Sequence, residues 1–452
     1  MQRKELFESI PIKKAVISMA VPTVLSQLVH VLYNMADTFF IGQLNDPAQV
    51  AAATLSMPPF LFLTGIANLF GIGGASLISR RMGQKRPETA RKCAAFSIWG
   101  GLGTALVYGL VILLFRGRLL PLIGTNETTY PLVYQYLLWT TVIGAVPTVM
   151  NTLLSHLVRT EGKARSAGFG VMLGCFLNIL LDPLFIFTFR MGIIGAAAAT
   201  MVSNCIAMLY FIVLILRDRE TVISLNPRYF TIRERIPREI LVVGFPSFLM
   251  VLASFFSNTF LNTLVSGYSN EAMAGMGIAK KIDMVGFAVA QGMTQGVLAL
   301  IGYNYAAGNL ARMRAAVRTT LIYSTGTAAV FTVILFIFSR TITRAFIGDA
   351  QTVAYGQRFM RIMCVTCPTA SVTMMAVTVF QATGEKLRPM LVSLLRKGGL
   401  DVPFMLLYNA AAGIEGIPFA TPTADVLTMI IAVILVIPYW KKISRLTAGG
   451  KE

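Results

Sequence analysis

The sequence predicts an all-α integral membrane protein with twelve transmembrane helices in two pseudo-symmetric six-helix lobes. Composition is the first reason: 55% of the 452 residues are hydrophobic, only 13% are charged and the mean hydropathy is +0.69, outside the range of water-soluble domains. The second is that apolar runs of about 20 residues or more return from one end of the chain to the other, each long enough to cross about 30 Å of hydrocarbon as an α-helix. The third is a set of landmarks that occurs twice, six runs apart.

Twelve runs are read in order: 14–42, 48–79, 93–115, 130–157, 166–189 and 193–216, then 239–267, 272–304, 315–338, 351–382, 388–411 and 416–439. The first carries Gln27, His30, Asn34 and Asp37, spaced 3, 4 and 3, with Pro22 upstream. That spacing puts all four polar groups on one helix face. The second contains "GIGGAS" at 71–76, which lacks the Lys-Ser/Thr ending of a phosphate loop and reads as a close helix-packing surface. The fourth ends near His156, which reads as incidental. The fifth reads "CFLNILLDPLFIF", with Asn178 and Asp182 one turn apart and Pro183 removing a backbone donor beside the carboxylate. The sixth adds Thr200.

In the second set, the seventh run has Asn258 and Asn262. The eighth has Lys280 three residues before Asp283, and also Met273, Met276, Met284 and Met293, whose soft side chains suit either membrane packing or an adaptable ligand wall. The tenth has Cys364 and Cys367, whose spacing lacks the second ligand pair of a metal site. The eleventh has Lys397 four residues before Asp401. Lys280 with Asp283, and Lys397 with Asp401, read as neutralised internal ion pairs.

Charge orients the chain. The net charge of +19 would suggest nucleic acid in a soluble protein, but the basic residues sort by loop. With the amino terminus inside, cytoplasmic segments hold 28 Lys and Arg, outer segments hold 5 and six lie within spans. This is an orientation signal, which places both termini in the cytoplasm and argues against nucleic-acid binding. The polar N-terminus and the long first run are not those of a cleavable signal peptide.

The basic stretch at 217–238 divides the chain into an N-terminal lobe, 1–216, and a C-terminal lobe, 239–452. Pro22 pairs with Pro246 and Gly124 with Gly348, each at an offset of 224, and "GIIGAAAAT" (192–200) pairs with "GIEGIPFAT" (413–421). Both halves start on the same side, so they are parallel repeats about an axis along the membrane normal, an organisation found in transporters.

An ionised carboxylate at mid-membrane costs about 2.5–3.5 kcal/mol even on insertion scales, so Asp37 and Asp182 are functional candidates. Counted from the outer helix ends, Asp37, Asp182 and Thr200 all lie roughly 8–10 Å deep. Two carboxylates meeting in low dielectric share a proton or hold a small cation between them. With Asn178 and Thr200 they form an oxygen-only set, suited to H+ or Na+ and unsuited to zinc or copper. The remaining stripe, Gln27, His30 and Asn34, together with Tyr33, Met35 and Phe39, is the candidate drug-facing surface. Pro22 is the candidate hinge. In the C-terminal half Leu261 stands opposite Asp37, so ion coupling is expected in the N-terminal lobe, with Asn258, Asn262, Lys280 and Asp283 as secondary candidates.

"YNMADTFFIG" with Pro22 upstream, "LNILLDPLFIF", "GAAAAT" and the "RRMGQKRPETARK" loop resemble the first-lobe pattern of multidrug and toxic compound extrusion (MATE) transporters, nearest to their DinF/MepA-like bacterial branch. The resemblance implies a two-lobe exporter of cationic, aromatic drugs in exchange for H+ or Na+, with cation-site roles on Asp37, Asn178, Asp182 and Thr200. An acidic second-lobe site, present in some NorM-type relatives, is not carried over, because the seventh run has no acid beyond Glu239 at its very start.

The expectation is thus a secondary active efflux transporter of the cytoplasmic (inner) membrane, working by alternating access. Its partners would be small cationic or amphipathic drugs, H+ or Na+ and membrane lipids, with no nucleic acid, no obligate protein partner and no cofactor beyond a bound Na+. A flippase for lipid-linked precursors is the alternative with the same architecture. A membrane enzyme is disfavoured because the sequence offers no nucleophile–base pair or metal motif, and a passive channel because it needs no two-lobe repeat.

Overall fold

The computed structural model describes residues 3–44 and 46–448. It consists of helices α1 (Arg3–Glu8), α2 (Ile12–Gly42), α3 (Pro47–Gly83), α4 (Pro87–Leu122), α5 (Tyr130–Leu137), α6 (Ala145–Thr160), α7 (Ala164–Pro183), α8 (Ile193–Arg217) and α9 (Ile236–Ser266). These are followed by α10 (Asn270–Gly296), α11 (Leu298–Ala306), α12 (Leu310–Phe346), α13 (Ala350–Cys364), α14 (Cys367–Thr383), α15 (Leu387–Leu394), α16 (Asp401–Ala412) and α17 (Ala420–Ala448). All twelve apolar runs are helical. In hydrocarbon every backbone N–H and C=O must be satisfied within its own segment, which leaves helix as the available form for such runs.

Among the described residues nine helices are long and apolar enough to span a membrane. Two further spans are bent pairs. Between α5 and α6 the bend is 48°, where a π turn at Leu138–Ile143 meets Gly144, whose position leaves 2.5 Å between a Cβ and the Trp139 carbonyl oxygen. Between α13 and α14 it is 43°, with Pro368 in the first turn of α14. The run 388–411 is α15, a π turn at Leu395–Gly399 and α16, and the charges of Arg396, Lys397 and Asp401 set it apart from the others.

Two of the interhelical loops are tied by side-chain caps. Asp46 caps α3, accepting from the Ala48 N–H and the Gln49 side chain at 2.9 Å each, and Asp349 caps α13 through the Thr352 N–H at 2.8 Å. The Gln49 amide, then the Ala48 N–H, holds the Asp46 carboxyl below the usual carboxylate range. The Thr352 N–H and hydroxyl do the same for Asp349. Gly192 and Gly413, paired by the repeat, share φ +58° and ψ near −139° at the same point in each half, so the duplication read from sequence extends to backbone conformation.

By packing, the chain forms two compact units, Leu28–Val251 and Met1–Gln27 with Leu252–Glu452. The inner halves of α2 and α9 are therefore each counted with the other repeat. In the Leu28–Val251 unit α3 is the central helix, and "GIGGAS" is its packing surface. A Cβ on Gly73 would sit 2.1 Å from the Ile240 carbonyl oxygen, and one on Gly244 1.8 Å from that of Leu69, so α9 and α3 meet backbone to backbone. Arg80 and Arg81 hold Glu239 at 3.6 and 3.3 Å. The basic segment after α8 lies on the same unit: Glu161 accepts from the Val222 N–H at 2.7 Å and the Thr221 hydroxyl at 2.9 Å, and Trp99 donates to the Leu225 carbonyl at 3.2 Å.

In the other unit, Arg312 closes the end of α1. Its guanidinium donates to the carbonyls of Phe7 and Ile10, each at 2.6 Å, and to that of Leu6 at 3.2 Å, satisfying acceptors that a helix end leaves open. Phe7 stacks on Tyr303 at 4.9 Å.

Candidate functional site

The polar residues expected to converge do so in the Leu28–Val251 unit, between α2, α7 and α8. Asp182 is fully buried, and Asn178, Thr200 and Asp37 are 2%, 4% and 8% exposed. Asn178 donates its amide to the Thr200 hydroxyl at 3.1 Å. The Tyr33 phenol is hydrogen-bonded to the same threonine, and Asp37 and Asp182 lie within each other's electrostatic reach. One carboxylate oxygen of Asp37, Oδ1, is buried with no hydrogen-bond partner. A buried, unsatisfied anionic oxygen is costly, and a proton or a small cation is what removes that cost.

Local sequence explains the placement of Asp182. Pro183 withholds an N–H, and the chain passes at once into a π turn, Leu184–Thr188, a wide turn that often marks functional positions. Gly195 lets α8 approach that turn, since a Cβ there would stand 2.7–2.8 Å from the Phe185–Ile186 backbone. Thr200 is carried one and a half turns further along α8.

Tyr136 of α5 was not anticipated. It is buried, and its phenol faces both carboxylates. A lone tyrosine in an apolar helix carries no sequence signal that separates this role from core packing.

The rest of the stripe is spread out. Asn34 spends its amide on the His30 carbonyl of its own helix at 2.7 Å. His30 is exposed, its Nδ1 3.9 Å from the Cys175 sulfur and its ring 5.6 Å from that of Tyr33. Met35 and Phe39 lie two residues on either side of Asp37, about 200° around a regular helix, so they line the opposite side of α2; Phe39 is exposed. Gln27 and Pro22 belong to the part of α2 counted with the other unit. Around Pro22 the helix is pressed on α10, where a Cβ on Gly292 would meet the Val24 backbone at 2.6 Å and one on Gly296 the Ala20 backbone at 2.9 Å.

In the C-terminal half two expectations change. Asn258 and Asn262 are exposed, whereas Ser257 beside them is buried and donates to Asp401 Oδ2 at 2.6 Å. Lys280 and Asp283 form no ion pair within 4 Å. Lys280 instead donates to the Thr421 hydroxyl at 3.4 Å, and Thr421 donates to Asp401 Oδ1 at 3.0 Å. Lys397 does reach Asp401, at 3.5 Å. Among the described residues no three of His, Cys, Asp or Glu gather as transition-metal ligands, and the five cysteines are free thiols.

The MatE family model matches residues 22–184 and 246–407, once in each repeat. The multidrug export protein MepA of Staphylococcus aureus strain MSSA476 is 28% identical over 430 residues, covering 95% of this chain and 94% of its own. The protein of the same name from Staphylococcus saprophyticus is also 28% identical over 430 residues. Among solved structures, a MATE in complex with MaL6 superposes with a TM-score of 0.90 at 25% identity, 99% of both chains being covered. An outward-facing multidrug resistance MATE family transporter gives 0.89 at 25% identity over the same share.

Proposed function

Because the chain belongs to the MatE family, a family of multi-pass membrane proteins whose model it matches in both repeats, we propose that it is a multidrug efflux transporter that exchanges cationic, aromatic drugs for H+ or Na+ by alternating access. The observation that carries this reading is the meeting of Asp37 and Asp182 with Asn178 and Thr200, together with the unsatisfied buried oxygen of Asp37. The export role comes from the relatives named multidrug export proteins over nearly the whole chain. We place the protein in the inner membrane with both termini in the cytoplasm, on the strength of the basic-residue asymmetry.

In this scheme the ion and the drug compete for one conformational equilibrium. A cation or proton on the Asp37–Asp182 pair neutralises the site, and its departure restores charge that a cationic drug can answer. One charge moved across about 100 mV supplies roughly 2.3 kcal/mol, close to a fortyfold drug gradient before any concentration term. No lipid-flippase role is proposed: of the basic residues that kept that alternative open, Lys280, Lys281, Arg358 and Arg361, three are engaged, Arg358 with Glu415, Arg361 with Ser339 at 2.9 Å and Lys280 with Thr421 at 3.4 Å.

The test is efflux of a fluorescent cationic dye from liposomes holding purified protein, under a pH gradient and separately under a Na+ gradient. Wild type should pump with at least one of them, which names the ion, and Asp37→Asn should lose gradient-driven pumping. An Asp37→Asn variant that pumps as wild type does would remove the carboxylate from the mechanism.

A further inference from the structure

The C-terminal half holds a charged cluster that the transport reading does not use: Lys280, Asp283, Arg396, Lys397, Asp401 and Asp425, three cations and three acids, of which Arg396, Asp401 and Asp425 are buried and the others half-buried. Arg396 and Asp425 form a close pair, 2.8 Å and almost fully buried, with the guanidinium over the Phe287 ring at 4.7 Å. The others centre on Asp401, which is fully buried. Its oxygens accept from Ser257 at 2.6 Å and Thr421 at 3.0 Å, while the Lys397 ammonium stands 3.5 Å from the carboxylate and the Lys280 ammonium 3.4 Å from the threonine.

These oxygens have counterparts in the first half. The offset that pairs Asn34 with Asn258 pairs Tyr33 with Ser257, and the offset that pairs "GIIGAAAAT" with "GIEGIPFAT" pairs Thr200 with Thr421. Asp401 stands two residues before Pro403 and Asp182 one before Pro183, each acid fully buried and each beside a π turn, which precedes Asp401 and follows Asp182. In the first half a hydroxyl, a phenol and an acid surround a site with an unsatisfied carboxylate oxygen contributed by Asp37. In the second half Leu261 replaces that carboxylate, and two ammonium groups reach the oxygens from α10 and the π turn.

We propose that the Ser257–Asp401–Thr421 set is a second cation pocket, the repeat counterpart of the Asp37–Asp182 site, permanently filled by the tethered ammonium groups of Lys280 and Lys397. This rests on reading the first site as a cation site. An ammonium ion offers an oxygen cage a compact positive charge, as Na+ does, but covalent attachment prevents its release. The C-terminal half therefore keeps its cation while the N-terminal half exchanges one, and the molecule has a single exchangeable cation site. The charges support a static role: with both lysines charged, Asp283 and Asp401 balance them and Asp425 balances Arg396, so the cluster is neutral without any mobile ion.

The prediction is that removing a tether opens the pocket. Purified full-length wild type, Lys280→Met, Lys280→Met/Asp401→Asn and Lys280→Met/Asp37→Asn are unfolded by heat over a Na+ series at constant pH and over a pH series without Na+. A ligand bound only by the folded state raises Tm with its concentration. Lys280→Met should gain a cation-dependent rise of several degrees beyond the wild-type response. The gain should vanish with Asp401→Asn and persist with Asp37→Asn, so that it is read apart from the first site. A folded Lys280→Met with the wild-type response overturns the inference. If Lys280→Met does not fold, the neutral Lys280→Met/Asp401→Asn pair should restore monodisperse protein; failure of that rescue overturns it as well.

Discussion

Asp37 is buried with one oxygen unanswered by the protein, and beside it stand a second carboxylate, Asp182, and the neutral Asn178, Thr200 and Tyr33. A carboxylate in that position is stable only while something positive shares the cavity, which makes its occupancy a state variable. Asn178 sets the geometry by fixing the Thr200 hydroxyl. Replacing it with alanine removes one neutral hydrogen bond, typically worth about 0.5–1.5 kcal/mol. Half-saturation by the driving ion should rise about 2- to 13-fold with the maximal rate less affected, as measured by ion titration of dye efflux. An unchanged half-saturation would make Asn178 a packing residue. Of the four residues proposed for the ion site, Asp37, Asn178 and Asp182 stood out in the sequence because acids and amides are rare in apolar helices, and Thr200 only by its matching depth. Tyr136 and Ser257 did not, because a tyrosine or serine in a membrane helix is common and its importance depends on partners far along the chain, Asp37 and Asp182 for the first and Asp401 for the second.

At the level of elements, the close α3–α9 crossing depends on two glycines that leave no room for a side chain. Gly244→Ala places a methyl against the Leu69 carbonyl, an overpacking that typically costs about 1–3 kcal/mol. It should lower the unfolding temperature, with Gly277→Ala, where a Cβ meets nothing within 4 Å, as the helical control. Equal temperatures for the two variants would mean that α9 can slide away from α3 at no cost. Hydrophobic run length predicted these spans, but it was blind to the three π turns and to α1. The turns satisfy backbone groups as well as a regular helix does, and α1 is held by Arg312, a residue some 300 positions away.

For the whole molecule, two six-helix repeats and an all-helical membrane fold were legible from run count, charge sorting and repeat offset. The packing units were not, because assigning the inner halves of α2 and α9 depends on which glycines face which backbone. From the charge asymmetry we propose that the carboxyl terminus lies inside. A fluorescent protein fused after Glu452 should therefore be bright in cells, since it folds in the cytoplasm, and a dark fusion with normal membrane expression would invert the topology.

Packing of the amino terminus with the second half also sets a schedule for synthesis. α1 and the inner part of α2 leave the ribosome first, yet the Arg312 that closes α1 is made about 300 residues later. At about 5–20 residues per second that is a wait of roughly 15–60 seconds, during which the first helix stands in the bilayer with its inner end unclaimed. Translation speed across the middle of the message, and any factor that shelters a waiting helix, should therefore govern yield more strongly than the final stability of the folded chain.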